Sequence, residues 1–495
     1  MKAYLKSLLF LGLFLPLMAC THLPDNYTKT NDTLRLKPDY SGVTLPCNIA
    51  PMNFDIENEA DQYITQIRST HGKPIILTGK GVRINMKKWK KLLEANKGER
   101  LIVEVYAKKN GSWVRFPLIK NVIAPEPVDN YVVYRYIAPL YTLYEGMSIN
   151  QRNLENFDVS VLYDNRNLST DEKSQCVNCH SFQNYNKNGS MQLHLRGENG
   201  CTLFVRNGKY TKINLKNPAF VGNAVYPSWH PTENVVAYSV NVIGQNFYTK
   251  KLDKVEVLDE KSDLVLYDVD KNRITPIEIS GNWLETFPYW SPDGKYLYYA
   301  SAYFNPTSAN VEVETIEKYA TIRYNLVRKA FNTTTHTFGQ TDTVVSASSI
   351  GKSATFPRVS PDGRYLLYTM ADYGNFHIWH RSSDLYLMDL KTRVKRNVEE
   401  INSPEVESYH SWSSNGKWVI FSSRREDAGY TRLYLTYFDG NGHFSKPFIL
   451  PQKDPSFYER SFKSFNVPEF IVKPAPISKR GILKALKDST RNANL

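Results

Sequence analysis

A phrase that occurs at four places in the second half of the chain limits the fold more than any other feature. Two copies contain Ser-Pro-Asp-Gly intact, at 288–294 and 357–363, and two degenerate copies begin at Pro227 and His410. Each copy leads into a run of aromatic and β-branched residues, which favour strands. Asp-Gly and Asn-Gly favour tight turns because glycine readily adopts a positive φ. Each copy therefore predicts a strand, a turn and a second strand.

A second repeated phrase completes the unit. Alternating polar and apolar residues recur at 263–269, 384–390 and 432–438. A further polar turn and strand follow in each case, which gives about four strands per unit, as in a propeller blade.

The units are longer than a bare blade requires. Trp290 and Val359 are 69 residues apart, whereas a blade needs about 40 to 45 residues. We therefore expect inserted loops at 241–262, 302–322 and 371–383. The last of these is interpreted either as a rim loop that contacts a ligand or a haem group, or as a well-packed long hairpin.

The repeated phrase resembles Pro-x-Trp-Ser-Pro-Asp-Gly-Lys, the phrase of TolB-like propellers, which are also called WD40-like or PD40 repeats. The resemblance covers roughly residues 180–470 and implies a mainly β fold with five or six blades, six being favoured. The segment Phe465 to Phe470 echoes the first strand of the phrase, so we expect it to close the ring against an early blade. Propellers host unrelated activities, so the resemblance predicts the fold and not the function.

The pentapeptide Cys176-Val177-Asn178-Cys179-His180 is the strongest chemical motif in the chain. Two cysteines two residues apart followed by histidine form the attachment pattern for c-type haem. Cys176 and Cys179 would form thioethers with the haem vinyl groups, and His180 would be the proximal iron ligand. The alternative is a disulfide or redox-active Cys-x-x-Cys pair that happens to precede a histidine.

A sixth iron ligand would have to come from another part of the chain. Met191 and His194 are the nearest candidates, and Met147 is a more distant one. Methionine would raise the reduction potential relative to histidine. Met191 and His194 are three residues apart, so on a strand they face opposite sides and at most one can face the iron. A core methionine and a hydrogen-bonded strand histidine are the alternative interpretations.

The N-terminus has the pattern of an export signal. Lys2 and Lys6 precede a short apolar segment, which ends in Leu17-Met18-Ala19-Cys20. This sequence resembles a bacterial lipobox and implies cleavage before Cys20 and acylation of its sulfur. We therefore expect a lipid-anchored protein of the bacterial envelope. Thr21 follows in place of aspartate, which favours the outer membrane facing the periplasm, with exposure at the cell surface left open.

Cysteine and charge content agree with export. Cys47 and Cys201 remain after the lipobox and haem cysteines are assigned, and an oxidising envelope would allow them to form a disulfide. The net charge is +13, which is compatible with binding to anionic headgroups, acidic glycans or acidic partners, and equally with a basic surface that contacts only solvent. We expect no nucleic-acid partner, because the compartment is wrong.

The sequence divides into six segments. They are a signal peptide at 1–20, a tether at 21–46, a β-rich and sandwich-like domain at 47–165, the haem motif with the first blade at 166–225, the propeller at 226–472, and a basic tail at 473–495 that is loose or docks as a short helix. Within the β-rich domain, Asn85 caps a basic helix from Met86, and Asn110-Gly111 forms a hairpin turn.

Two classes of function compete. The first is a haem-bearing electron-transfer lipoprotein that uses the propeller rim to dock a redox partner. The second is a haem-free scaffold that binds an envelope protein. Hydrolysis is disfavoured, because the sequence contains no Gly-x-Ser-x-Gly elbow.

Overall fold

A computed structural model describes residues 22–138, 146–167, 175–197, 200–248, 250 and 253–495. The fold is mainly β, as predicted. It consists of an N-terminal domain and a β-propeller. None of the helices in the described ranges is long and apolar enough to cross a bilayer.

The N-terminal domain contains two sheets and one helix. A seven-stranded sheet holds β1 (Thr28–Lys29), β3 (Thr44–Leu45), β5 (Gln62–Arg68), β6 (Ile75–Thr78), β8 (Arg100–Lys109), β9 (Ser112–Arg115) and β10 (Ile119–Ile123). A three-stranded sheet holds β2 (Leu36–Lys37), β4 (Phe54–Ile56) and β7 (Gly81–Val82). Helix α1 (Met86–Glu94) begins at the predicted cap, because the Asn85 side chain accepts hydrogen bonds from the Lys87 and Lys88 amides. Asn110 and Gly111 form the predicted turn between β8 and β9, both with positive φ.

The remaining strands form successive four-stranded antiparallel blades, of which the described residues contain six. Blade 1 holds β11 (Tyr131–Ile137), β12 (Ser148–Asn153), β13 (Val159–Asp164) and the late strand β34 (Ser464–Ile471). Blade 2 holds β14 (Gln175–Phe182), β15 (Met191–Gly197), β16 (Cys201–Arg206) and β17 (Lys209–Asn214). Blade 3 holds β18 (Asn223–Trp229), β19 (Val235–Phe247), β20 (Val255–Asp268) and β21 (Arg273–Glu278).

The other blades follow the same order. Blade 4 holds β22 (Trp283–Trp290), β23 (Tyr296–Tyr303), β24 (Asn325–Asn332) and β25 (Thr337–Val345). Blade 5 holds β26 (Ser353–Val359), β27 (Tyr365–Ala371), β28 (Asp384–Asp389) and β29 (Lys395–Asn397). Blade 6 holds β30 (Glu407–Trp412), β31 (Trp418–Ser423), β32 (Arg432–Tyr437) and β33 (Phe448–Ile449).

The ring closes through the C-terminal strand, as the sequence predicts. β34 pairs antiparallel with β11, from Tyr131 opposite Ile471 to Ile137 opposite Ser464. Blade 1 therefore combines strands from both ends of the propeller sequence. As a result, β11 to β13 belong to the ring, although the predicted N-terminal domain extends to residue 165.

The insertions differ in structure. Residues 241–262 were expected as a loop, but most of them extend β19 and β20 into a long hairpin. Helix α2 (Val311–Lys318) lies in the insertion at 302–322. The insertion at 371–383 contains a 3-10 turn from His377 to Trp379.

The C-terminal tail docks on blade 2. Helix α3 (Lys479–Ala485) contributes Ile482 and Ala485 to the apolar cluster of that blade. β35 (Arg491–Asn492) then pairs with β17 as an additional edge strand.

The N-terminal domain packs against blade 6 through one shared apolar core, which includes Trp89 and Trp418. Asp129 accepts hydrogen bonds from the backbone amide and hydroxyl of Ser414 at 2.7 and 2.5 Å. Ser414 lies in the turn after β30, so the domain lies beside the turn end of the propeller.

Candidate functional site: the central cavity

The innermost strands of the six blades surround one cavity of about 370 Å³. This volume lies within the usual range for small-molecule sites, about 300–1,000 Å³. The innermost strands are β14, β18, β22, β26, β30 and β34, and each contributes lining residues.

A repeated bulge shapes these strands. An aromatic residue with positive φ stands at the bulge in β18, β22, β26 and β30. These residues are Tyr226, Phe287, Phe356 and Tyr409. Such backbone is uncommon for bulky residues, and bulges of this kind often turn side chains toward a site.

The four aromatic rings form a continuous arc around the cavity. Centroid distances between successive rings are 4.7 Å, 4.1 Å and 5.0 Å. Val467 has the corresponding positive φ in β34. In β14 the register shift comes slightly earlier, between Val177 and Cys179. Sequence alignment of the strands places Cys179 where β18, β22, β26 and β30 have the aromatic residue and β34 has Val467.

An apolar plug packs against the bulge aromatics at one end of the cavity. The plug consists of Ile243, Val255 and Val257 from the hairpin of blade 3 and Phe376, Ile378 and Trp379 from the insertion of blade 5. Phe376 forms part of the cavity wall, with its ring centroid 5.4 Å from that of Phe287. The insertion at 371–383 therefore packs tightly and contributes Phe376 to the cavity wall. Contact of this insertion with a ligand or haem stays a prediction.

Buried polar contacts fix the plug in place. His380 Nε2 lies 2.9 Å from Glu256 Oε1, and both side chains are buried. Asn375 Nδ2 donates to Asp259 Oδ2 at 2.6 Å. Burial raises the pKa of Asp259 to about 7. The hairpin of blade 3 is thereby tied to the insertion of blade 5.

The opposite end of the cavity is a mouth formed at the turns that follow the innermost strands. Its lining includes Asn184, Lys187, Pro231, Pro292 and Pro361. Asn184 and Lys187 are exposed. Ligands can therefore enter from the turn end of the propeller.

The position two residues beyond the bulge residue carries serine in three strands and tyrosine, arginine or glutamate in the other three. It holds Ser181, Ser228, Tyr289, Arg358, Ser411 and Glu469, all of which line the cavity. Arg358 is the basic residue of these six, and Glu469 is the acidic one. Arg135 and Lys187 are the other cationic residues among the described lining residues.

Arg358 is held against an aromatic ring rather than against a carboxylate. Its guanidinium carbon lies 4.6 Å from the Tyr289 ring centroid, and Nη1 donates to the Pro357 carbonyl at 2.8 Å. Burial lowers the pKa of Arg358. Among the described residues it forms no ion pair within 4.0 Å.

Glu469 is the only carboxyl group among the described residues that line the cavity. Burial raises its pKa to about 8, against the opposing effects of the Phe182 amide and the Arg358 charge. The Phe182 amide donates to Glu469 Oε1 at 3.0 Å. Its surroundings therefore favour the neutral form, although the side chain is 26% exposed. With three cationic side chains and one carboxyl group, the described lining is positive in net charge.

In four innermost strands a proline follows the bulge residue, whereas the other two strands have His180 and His410 at that position. His180 Nε2 lies 3.8 Å from Glu469 Oε2. Burial lowers the pKa of each histidine to about 3, so both are neutral. His410 Nε2 lies 2.9 Å from the Leu367 carbonyl, and its Nδ1 has no partner among the described residues.

The haem-type pentapeptide lies on the innermost strand of blade 2. Cys179 and His180 line the central cavity, whereas Cys176 is not among the lining residues. β14 pairs with β15 from Gln175 to Phe182, and adjacent strand residues project to opposite faces. A c-type haem would need both sulfurs and the imidazole, so the described geometry fits the group only in part. Burial raises the pKa of Cys176.

The sixth-ligand candidates lie away from the cavity lining. Met191 and Met147 are fully buried, and Met191 belongs to an apolar cluster with Val177 and Phe182. His194 Nδ1 lies 3.2 Å from Thr202 Oγ1, and burial lowers the pKa of His194 to about 3. No cluster of three or more His, Cys, Asp or Glu within the described ranges is arranged to hold a metal ion.

The other cysteines are not brought together. Cys47 and Cys201 are free thiols in separate apolar cores, that of the N-terminal domain and that of blade 2. The expected disulfide between them is not formed in this structure. Cys20 and the rest of the export signal lie outside the described residues.

Solved structures with a similar fold share little sequence with this chain. TolB from Acinetobacter baumannii has a TM-score of 0.43 and 12% identity, over 78% of this chain and 85% of TolB. The tricorn protease has a TM-score of 0.37 and 12% identity, over 71% of this chain and 34% of the protease. A putative 6-phosphogluconolactonase from Bacteroides uniformis has a TM-score of 0.32 and 11% identity, over 79% of this chain and 98% of that protein.

No family model matches the chain, and no curated protein does. The propeller assignment made above therefore depends on the strand order of the blades and on the closing strand.

Sequence reasoning did not single out Arg358 and Glu469. Both residues could have been identified from the sequence, because each directly follows a proline of the repeated phrase, in Pro357-Arg358 and Pro468-Glu469. Proline marks the bulge, so the next side chain in each copy could have been compared as a candidate cavity residue.

Proposed function

We propose that this protein is a lipid-anchored binding protein of the bacterial envelope, and that its site is the mouth and interior of the central cavity. The observation that supports this most strongly is the cavity itself, which is lined by every innermost strand and has the plug packed against one end. Buried polar groups such as His410 Nδ1 within an aromatic wall are typical of binding sites.

Anchoring is the second part of the proposal. Acylated Cys20 would hold the chain at a membrane. Most of the expected tether at 21–46 belongs to the N-terminal domain, because β1, β2 and β3 lie within it, so the anchor would stand close to that domain. In this arrangement the propeller binds an envelope component, in keeping with the interaction-scaffold interpretation of the sequence.

Site-specific photo-crosslinking in intact envelopes tests the binding site. A photoreactive residue would replace Lys187 at the mouth, or Val161 on β13 as the control. Val161 is 55% exposed on the outer strand of blade 1 and outside the cavity lining. We expect a discrete adduct from position 187 that position 161 does not give. Identical adduct patterns at both positions, or no adduct at 187, would contradict the proposal.

Covalent haem attachment is a second candidate function. It is supported by the pentapeptide and by the position of Cys179 and His180 on the cavity wall. When bound, haem would supply one-electron transfer, and His180 would hold the iron. Because the geometry fits only in part, we derive no reaction step through this group.

Protein produced together with haem-maturation machinery tests this candidate. Attachment predicts a pyridine haemochrome spectrum typical of two thioether links and the mass of one porphyrin added to the chain. The Cys176→Ser variant should lose one link and shift that spectrum. An unmodified chain mass for the parent protein excludes attachment.

A further inference from the structure

We propose that the central cavity binds a small organic acid, with the carboxylate beside Arg358 and a flat apolar body against the aromatic arc. This inference rests on the proposed function and specifies the ligand class of the same site.

The positive charge of Arg358 has no ion-pair partner among the described residues. A guanidinium that is removed from water without a carboxylate partner is costly, and such groups are normally paired. Arg358 is partly buried and contacts an aromatic ring and one carbonyl; Glu469 acts on its charge, but no ion pair joins the two among the described residues. A ligand carboxylate would supply the missing countercharge, and arginine suits it because the guanidinium donates two parallel hydrogen bonds.

The second step concerns the sign of the surroundings. Arg135 and Lys187 add positive charge to the lining, and Glu469 is its single carboxyl group in the described residues. A cationic ligand would meet three positive side chains in this space. The field of the cavity therefore favours an anion.

The third step concerns the shape of the ligand. The Tyr226, Phe287, Phe356 and Tyr409 rings form one wall, and Phe376 lies at the plug end. Aromatic walls favour flat apolar groups, which stack or approach edge to face. Ser181, Ser228 and Ser411 occupy the same strand position as Arg358 and add hydroxyl groups to the cavity wall. These could hydrogen-bond to polar substituents of the ligand.

The fourth step concerns polar groups that the protein leaves unpaired. His410 is 2% exposed and lines the cavity, and its Nδ1 has no partner in the described residues. Since Nε2 is 2.9 Å from the Leu367 carbonyl, Nε2 carries the proton and Nδ1 is an acceptor. An N–H or O–H group on the ligand would satisfy this acceptor.

Titration calorimetry at pH 7 with three matched probes tests the ligand class. Benzoate, benzamide and benzylamine share one ring and differ in charge. We expect saturable benzoate binding with a dissociation constant of about 1 mM or tighter, and binding of benzamide and benzylamine at least about tenfold weaker. Equal binding of the three probes, or no saturable binding of benzoate, would overturn the proposal.

Two arginine variants locate the site. Arg358→Met should weaken benzoate binding by about tenfold or more. The control is Arg381→Met, whose side chain is 59% exposed and pairs with Glu405 outside the cavity. The control should bind benzoate as the parent protein does. Unchanged binding by Arg358→Met, with the fold verified by circular dichroism, would also overturn the proposal.

The two proposals can fail separately. Adducts at position 187 without benzoate binding would leave the binding site in place and remove only the organic-acid ligand. Benzoate binding with identical adduct patterns at 187 and 161 would retain the ligand class and contradict the role of the mouth in envelope binding.

Discussion

Arg358 and Glu469 occupy the same position of two innermost strands, and their neighbours determine their different behaviour. The Tyr289 ring covers Arg358, whereas Glu469 accepts the Phe182 amide and lies near neutral His180. The sequence allows Arg358 and Glu469 to be identified as cavity residues, because each directly follows the proline of the repeated phrase. Their protonation could not be inferred in this way, because it depends on burial by strands that are far apart in the sequence.

Glu469→Gln should change the pH dependence of stability. The pKa of Glu469 is raised from 4.5 to about 8, so the native state favours its protonated form. Protonated Glu469 therefore contributes to the stability of the native state; this stabilisation is fully present below about pH 4.5 and is lost as the pH rises through 8. Glutamine keeps an acceptor for the Phe182 amide and cannot ionise. We expect the variant to gain stability over the parent protein between pH 6 and 9.

Urea unfolding at several pH values measures this effect. One unit of pKa difference corresponds to about 1.4 kcal/mol, so a gain of about 1 kcal/mol or more at pH 9 is expected. A difference in unfolding free energy that stays constant from pH 5 to pH 9 would argue against a raised pKa of Glu469 in the native state.

The phrase copies predict the strand and turn elements because their chemistry is local. Gly294, Gly363 and Gly416 all have positive φ in the turns, as the Asp-Gly and Asn-Gly pairs require. The sequence did not assign β11 to β13 to the propeller, because the innermost strand of their blade, β34, lies at the other end of the chain and carries the repeated phrase. The hairpin at 241–262 escaped prediction since spacing alone cannot distinguish extended strands from a loop.

Phe470→Ala tests the closing strand. Phe470 on β34 is fully buried in the core shared with the N-terminal domain, so its removal should cost about 3–5 kcal/mol of unfolding free energy. The matched control is Phe462→Ala just before the strand, where the ring is 68% exposed. This control should change stability by less than about 0.5 kcal/mol.

Urea denaturation of both variants gives the comparison. Equal stability losses at the two positions would mean that β34 does not occupy the closing position between β11 and the neighbouring blade.

The whole molecule joins a closed ring to a smaller domain beside its mouth. Asp129 and the Ser414 turn connect the two, so the N-terminal domain lies near the turn end of the propeller. Sequence analysis predicted a ring and a separate domain. It could not predict their contact, because that contact is formed by residues nearly three hundred positions apart.

Cys20→Ala tests the anchoring of the whole molecule. The parent protein should incorporate labelled palmitate and sediment with membranes, whereas the variant should do neither, since its lipid attachment atom is missing. Thr21→Ser, which keeps the cysteine, is the control and should behave as the parent protein. Membrane recovery of Cys20→Ala equal to that of the parent would contradict lipid anchoring.

A crystal structure determined with benzoate at pH 7 tests the central claim most directly, that the closed ring encloses a site for an organic acid. The account predicts β34 paired with β11, and the benzoate carboxylate within hydrogen-bonding distance of the Arg358 guanidinium. A structure in which Arg358 is already paired with a protein carboxylate, with benzoate outside the cavity, would contradict it.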